Sequence, residues 1–285
     1  MLSKCLKWLG CVLALVCMPG LALATLVRFD TPKGPIDIQL YDTDTPKTVA
    51  NFLSYVRSTA YDNTFFHRHA IGFVLQGGGY TFPPVTAVVK LPPVQNEFSV
   101  TRSNLRGTVA MAKTAVSPDS ATSEWFVNLA NNAANLDNQN GGFTVFGRVT
   151  TPGMVVVDAI TALPVVNAGS PFDNLPVLSR PPAGANLQKE NLVMVAFAKE
   201  LATTTASATE RVLNYLEAAY PQYARPASPP LLDGLGYRYR YYEKTNAYVG
   251  TKDGNVYYLV PAISPDITLL GPLADWLATA AANGY

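Results

Sequence analysis

Side chains able to do acid–base or metal chemistry are few in this chain. His67 and His69 are the only histidines among 285 residues. Their i, i+2 spacing on an extended segment puts both rings on one face, which would suit a metal ion. No third histidine exists, and Cys5, Cys11 and Cys17 all fall within the first twenty-four residues. No carboxylate stands at a recognisable ligand spacing, so the plainer reading is one histidine satisfied in the core and one exposed. There is no Gly-x-Ser-x-Gly elbow, no P-loop and no Gly-x-Gly-x-x-Gly ahead of a helix. Gln76-Gly77-Gly78-Gly79-Tyr80 follows a strand-like run and precedes no helix. Close backbone approach at a turn accounts for those glycines as well as phosphate binding does.

One constellation is far more specific. Phe65-Phe66-His67-Arg68-His69-Ala70-Ile71-Gly72-Phe73-Val74-Leu75-Gln76-Gly77-Gly78-Gly79 resembles the signature F-H-R-x-x-x-G-F-x-x-Q-G-G of cyclophilin-type peptidyl-prolyl isomerases. Three further segments agree with the family in order and spacing: Arg106 to Ala112, Ser120 to Asn128 and Phe143 to Val149. The resemblance runs from about Leu26 to Lys199 and is nearest to the exported bacterial branch. It implies a closed eight-stranded antiparallel barrel capped by two helices. It also implies an enzyme that assists folding of exported proteins by isomerising Xaa–Pro bonds in polypeptide clients, without metal or organic cofactor. Arg68 matches the family's catalytic arginine. Phe73, Val74, Phe126 and Leu136 match its proline pocket, and Gln76 with the backbone of Ala112, Lys113 and Thr114 would orient the peptide.

These residue types suit that reaction. Rotation about an Xaa–Pro amide breaks no covalent bond but must overcome a resonance barrier of about 18–20 kcal/mol. The uncatalysed exchange takes tens of seconds or longer and can limit folding. Catalysis requires that the twisted amide be bound better than either planar form. A guanidinium, charged at every relevant pH, can donate to the deconjugated nitrogen or steer the carbonyl oxygen.

Several positions depart from the family pattern. Glu124 stands where glutamine is usual; a carboxylate accepts but cannot donate, and it is expected to hold Arg68 in a charge-assisted pair that slows turnover. Asn135 replaces an aromatic wall of the pocket, Val74 replaces a methionine, and Phe143 replaces a histidine found in many relatives. Glu124 and Asn135 together keep a second reading open, a chaperone or scaffold module that holds proline segments without useful turnover.

Around this site the chain reads as many short strands with two helices, one after Thr45-Pro46 and one over Gly153 to Ala162. Strands are expected at residues 26–29, 36–40, 64–68, 72–76, 108–112, 124–129, 143–149 and 191–199. The fold class is therefore mainly β, with a small α+β extension at the C-terminus.

Four regions follow: 1–24, 25–200 (the isomerase-like domain), 201–230 (a helix and a Pro-rich linker) and 231–285. The first carries Lys4 and Lys7, an apolar run from Trp8 to Cys17 and the small residues Ala22 and Ala24, the pattern of a cleaved secretory signal. Removing it leaves no cysteine, nineteen basic and twenty acidic residues, so thiol chemistry and cysteine metal sites are excluded from the mature chain. It implies export, to the periplasm in preference to the outside, with no membrane attachment afterwards. A chain with 48% hydrophobic residues, 11% aromatic residues and a net charge of +1 is neither disordered nor a nucleic-acid binder. Residues 231–285 read as three tyrosine-rich strands and a terminal helix over Leu269 to Ala282. The tyrosines either cover that sheet's own core, the plainer reading, or present a stacking face to a glycan or a partner protein.

Overall fold

A computed structural model describes residues 24–182, 184–201 and 207–285. The expected signal segment before Ala24, with all three cysteines, lies outside the described residues. Eight strands form the main sheet: β1 (Leu26–Thr31), β2 (Gly34–Leu40), β3 (Arg68–Ala70), β4 (Val74–Gly77), β5 (Thr108–Met111), β6 (Trp125–Asn128), β7 (Val145–Val149) and β8 (Ala198–Leu201). Their order is β8-β1-β2-β7-β5-β6-β4-β3, antiparallel throughout.

This ladder is open, which corrects the expectation of a closed barrel. The two expected strands that would have sealed the seam, 64–68 and 191–199, are extended but meet only in an isolated bridge between Phe65 and Met194. Val195 N–H donates to Thr64 C=O at 2.7 Å and Phe66 N–H to Val193 C=O at 3.1 Å, and the pairing spreads no further. Val193 and Val195 face the main core while Leu192 and Met194 face a second cluster around Phe65. The segment is thus packed on both sides without forming a regular strand.

Inside the sheet, alternate residues build an aromatic core. Phe29, Phe52, Tyr61, Trp125 and Phe146 are buried, with Phe29–Trp125 and Phe52–Phe146 ring centroids each 4.8 Å apart. Helix α1 (Pro46–Arg57) begins with proline at its first turn, as expected. Thr45 holds the N-cap position but does not cap with its side chain. Glu97 caps instead, from fifty residues away: its carboxylate accepts from Lys47 N–H at 3.2 Å and Thr48 N–H at 2.8 Å. A single-turn helix α2 (Ala133–Leu136) follows β6, and α3 (Thr151–Thr161) forms despite its valine run, with Val156 and Val157 buried and Thr150 accepting from Gly153 N–H.

Beyond residue 206 the chain forms α4 (Ala208–Ala219), then β9 (Leu232–Gly234), β10 (Tyr237–Tyr242), β11 (Ala247–Lys252), β12 (Asn255–Leu259), β13 (Thr268–Pro272) and α5 (Leu273–Ala282). The sheet has five strands in sequential order, where three were expected, and the terminal helix starts four residues later than expected because Thr268–Pro272 is a strand. The tyrosines of this sheet divide between its two faces, and the plainer reading holds for two of the seven. Helices α4 and α5 cover one face, to which Tyr242 and Tyr258 contribute. Tyr237, Tyr239, Tyr241, Tyr248 and Tyr257 share the opposite face, half-buried against one another, with Tyr241–Tyr248 centroids 4.6 Å apart.

The C-terminal module is docked on the main sheet through a buried ionic cluster. Arg28 and Asp37 are cross-strand partners on β1 and β2, flanked by the inward residues Val27, Phe29, Ile36 and Ile38, so both point outward. They are nonetheless fully buried, because α4 lies over them. Arg28 holds Asp37 through Nε at 2.8 Å and Nη2 at 2.6 Å, and its Nη1 pairs with Glu217 of α4. Glu217 also accepts from Arg240 at 2.8 Å and Tyr242 at 2.9 Å, while the Tyr285 hydroxyl donates to Asp37. Burial pushes the Glu217 carboxyl up, but Arg28 and Arg240 more than reverse this and leave it below its ordinary value.

Candidate active site

Register decides which side chains meet. Arg68 pairs with Gln76, Gln76 with Phe126, and Phe126 with Ala110, a row running across β3, β4, β6 and β5. The next row, His69, Leu75, Val127 and Val109, is buried, and its three aliphatic members belong to the main core. Period-two alternation therefore puts Arg68, Gln76 and Phe126 together on the outer face.

An apolar cluster covers that face. Val74, Ala110, Phe126, Leu136 and Val145 are buried in it, and Phe73, Ala112 and Phe143 pack against it half-buried. The Phe126 and Phe143 rings meet edge to face at 5.9 Å. The turn ahead of Phe73 rests on Gly72 at φ +68°, where an L side chain would be strained. The Phe73 carbonyl then accepts from Leu129 N–H at 2.9 Å and Asn132 Nδ2 at 2.8 Å, which fixes the ring against β6.

Of the expected backbone contacts, Thr114 is committed internally: its N–H donates to Ser120 Oγ at 2.9 Å and its C=O accepts from Asn140 Nδ2 at 2.8 Å. Ala112 N–H is likewise bonded, to Glu124 C=O at 2.9 Å. The Lys113 main chain makes no such bond among the described residues. Its ammonium is spent on Asn140 C=O and Gly142 C=O, each at 2.6 Å, and lies 4.7 Å over the Phe143 ring. Burial pulls that ammonium down. Asn135 is exposed on α2 with its carbonyl accepting from Gln139, so it supplies no wall to the apolar cluster.

Two expectations are corrected here. Glu124 does not pair with Arg68, because Gln76 stands between them. Arg68 Nη1 donates to Gln76 Oε1 at 3.1 Å, and Gln76 Nε2 donates to Glu124 Oε2 at 2.7 Å. Glu124 Oε2 lies 3.3 Å from His67 Nε2. Burial raises the Glu124 carboxyl, but the bond and charge of His67, the bond from Gln76 and the Lys90 charge outweigh it, leaving a net lowering. Nor is either histidine exposed: His67 and His69 are 2% and 3% accessible, and burial lowers His69. His67 is therefore a member of the site to which sequence reasoning gave no role there. The available signal was Glu124 itself, two residues before Phe126 and so on the same face of that segment. Among the described residues no group of three or more His, Cys, Asp or Glu could hold a metal.

Comparison with known proteins identifies the family. Residues 26–180 match the family described as cyclophilin type peptidyl-prolyl cis-trans isomerase/CLD. A peptidyl-prolyl cis-trans isomerase of Acinetobacter baylyi is 41% identical over 166 residues, which is 58% of this chain and 87% of that one. Peptidyl-prolyl cis-trans isomerase A of Dickeya dadantii is 42% identical over 155 residues, 54% of this chain and 79% of its own. Peptidyl-prolyl cis-trans isomerase cyp18 of Streptomyces antibioticus reaches 47% over 138 residues, 47% of this chain and 81% of its own. A solved Cryptosporidium parvum cyclophilin type isomerase, determined in the presence of dipeptide Ala-Pro, covers 62% of this chain and 99% of its own at 20% identity and a TM-score of 0.47. With more than half its length matched in sequence, this chain belongs to the cyclophilin-type peptidyl-prolyl cis-trans isomerase family.

Proposed function

We propose that the chain catalyses cis–trans exchange of Xaa–Pro bonds in polypeptides, and that it does so after export. The observation that carries the reading is the placement of one uncompensated guanidinium beside an apolar cluster. Among the described residues Arg68 forms no ion pair, and its one side-chain acceptor is the neutral amide of Gln76. Phe73, Phe126, Leu136 and Phe143 offer a proline ring an apolar seat next to it. With the ring held there, the preceding carbonyl is left to swing. Arg68 then favours the twisted amide by donating where its charge redistributes, and binding energy from the apolar seat is converted into a lower rotation barrier. Lys113's open main chain supports a role in pairing with the peptide backbone.

Export rests on the basic, apolar and small-residue pattern of residues 1–24, and the periplasm is the compartment it favours. The activity is tested with an Ala-Pro peptide in a protease-coupled assay. Arg68→Ala is expected to lower kcat/KM about a hundredfold or more. Unchanged turnover in Arg68→Ala would overturn the assignment of the guanidinium. Peptide binding with no wild-type turnover would favour the holding module instead.

A further inference from the structure

Glu124 has a partner that the reaction just described does not call on. His67 Nε2 faces Glu124 Oε2 at 3.3 Å, while the other ring nitrogen, Nδ1, is buried with no hydrogen-bond partner. Nδ1 has no acceptor in reach, so the N–H that His67 can donate is the one on Nε2, which faces the carboxylate. From there the bonds run one way: His67 and Gln76 Nε2 both donate to Glu124, and Gln76 Oε1 accepts from Arg68. The space is shaped for this contact. A Cβ on Gly79 would lie 2.9 Å from His67 Cε1 and 3.1 Å from Glu124 Cδ, and Gly79 has no positive φ to require glycine otherwise. The Tyr80 ring closes the other side, edge to face with His67 at 5.1 Å.

We infer that His67 and Glu124 are positioning residues that fix the orientation of the Gln76 side-chain amide and, through it, of the catalytic guanidinium. An amide has two ends of opposite polarity and no intrinsic preference for either orientation. A carboxylate can only accept, so it draws the Gln76 NH2 toward itself and leaves the carbonyl for Arg68. Were Glu124 protonated, it could donate to Gln76 Oε1 as well as accept from Gln76 Nε2, so the amide would no longer be held in one orientation and its NH2 could turn toward the donors of Arg68. The ionised carboxylate is thus the competent state, and His67 keeps it ionised in a half-buried position. The titratable and charged groups around Glu124 are His67 ahead of β3, Arg68 through Gln76, Lys90 in the following loop, and the phenols of Tyr61 and Tyr80.

This inference rests on the isomerase reading for its kinetic consequence, but not for its bonds. In wild type the acid limb of kcat/KM is expected below the ordinary glutamate range, with about a two- to tenfold fall as it is crossed. Without His67, burial acts unopposed by its bond and charge, so His67→Ala moves that limb upward. His67→Gln, which restores an uncharged donor, gives a smaller move. Glu124→Gln removes the limb, and His67→Ala added to it shifts nothing further. The same titration is read without turnover from the Gln76 side-chain amide resonances, which report the flip directly. A folded His67→Ala whose profile and Gln76 titration superimpose on wild type would overturn the inference. So would Glu124→Gln retaining the limb, a result available even if the histidine variants fail to fold. If wild type shows no Arg68-dependent turnover, the isomerase reading fails while the amide titration still decides this one.

Discussion

Arg68 keeps its charge available because the acceptor beside it is an amide. Had Glu124 reached it directly, as its sequence position suggested, a carboxylate would have competed with the substrate for the same N–H groups. The intervening Gln76 converts a potential inhibitor into an orienting group. The space at Gly79 gives a prediction of its own. Gly79→Ala would push its methyl against His67 and Glu124, parting them by a few tenths of an ångström. Lower kcat/KM with an acid limb raised toward that of His67→Ala is expected, measured by the same assay over pH. A Gly79→Ala enzyme indistinguishable from wild type would show that the close approach carries nothing.

Elements were legible where apolar residues recur at a regular period or in a short run. The β2 alternation of Ile36, Ile38 and Leu40 and the α1 apolar stripe from Val49 to Val56 are periodic, while β5 to β7 read as short, mostly apolar runs buried along most of their length. The members of the arginine row were legible only through the family resemblance, since the register that aligns Arg68, Gln76 and Phe126 is set between strands and not within any one of them. Legibility failed where two environments compete for the same residues. Leu192 to Val195 is apolar on both sides and reads as a strand, yet pairs only at a bridge. Leu232–Gly234 and Thr268–Pro272 are outer strands, short and interrupted by glycine or proline, so no alternation marks them. The α1 cap was invisible for another reason, since Glu97 is distant in sequence. Glu97→Ala is expected to cost about 1 kcal/mol in chemical denaturation, whereas Thr45→Ala leaves the helix N–H groups capped and costs less.

At the scale of the whole molecule, the C-terminal module packs on β1 and β2, at the opposite end of the strand order from the arginine row. Nothing in the alternation of Arg28 and Asp37 distinguishes them from solvent-facing residues; only the module's docking buries them. Removing one member leaves the others charged in a dry interface, so Glu217→Ala is expected to lower stability by about 3–5 kcal/mol, read from denaturant unfolding. Because the Glu217 carboxyl is held below its unfolded value, its contribution is complete above the ordinary glutamate range. It is lost as pH falls through the lower folded value. Wild type should therefore lose stability more steeply in acid than Glu217→Gln does. Since the ionic cluster shares no hydrogen bond or ion pair with Arg68, Gln76 or Glu124 among the described residues, the Glu217 variants should retain prolyl exchange wherever they remain folded. The most direct test of the catalytic account is exchange NMR on an Ala-Pro peptide with the full chain, which reads binding and isomerisation in one spectrum. Wild type should accelerate cis–trans exchange while Arg68→Ala still binds the peptide and leaves exchange near the uncatalysed rate. Equal acceleration by both proteins would contradict it.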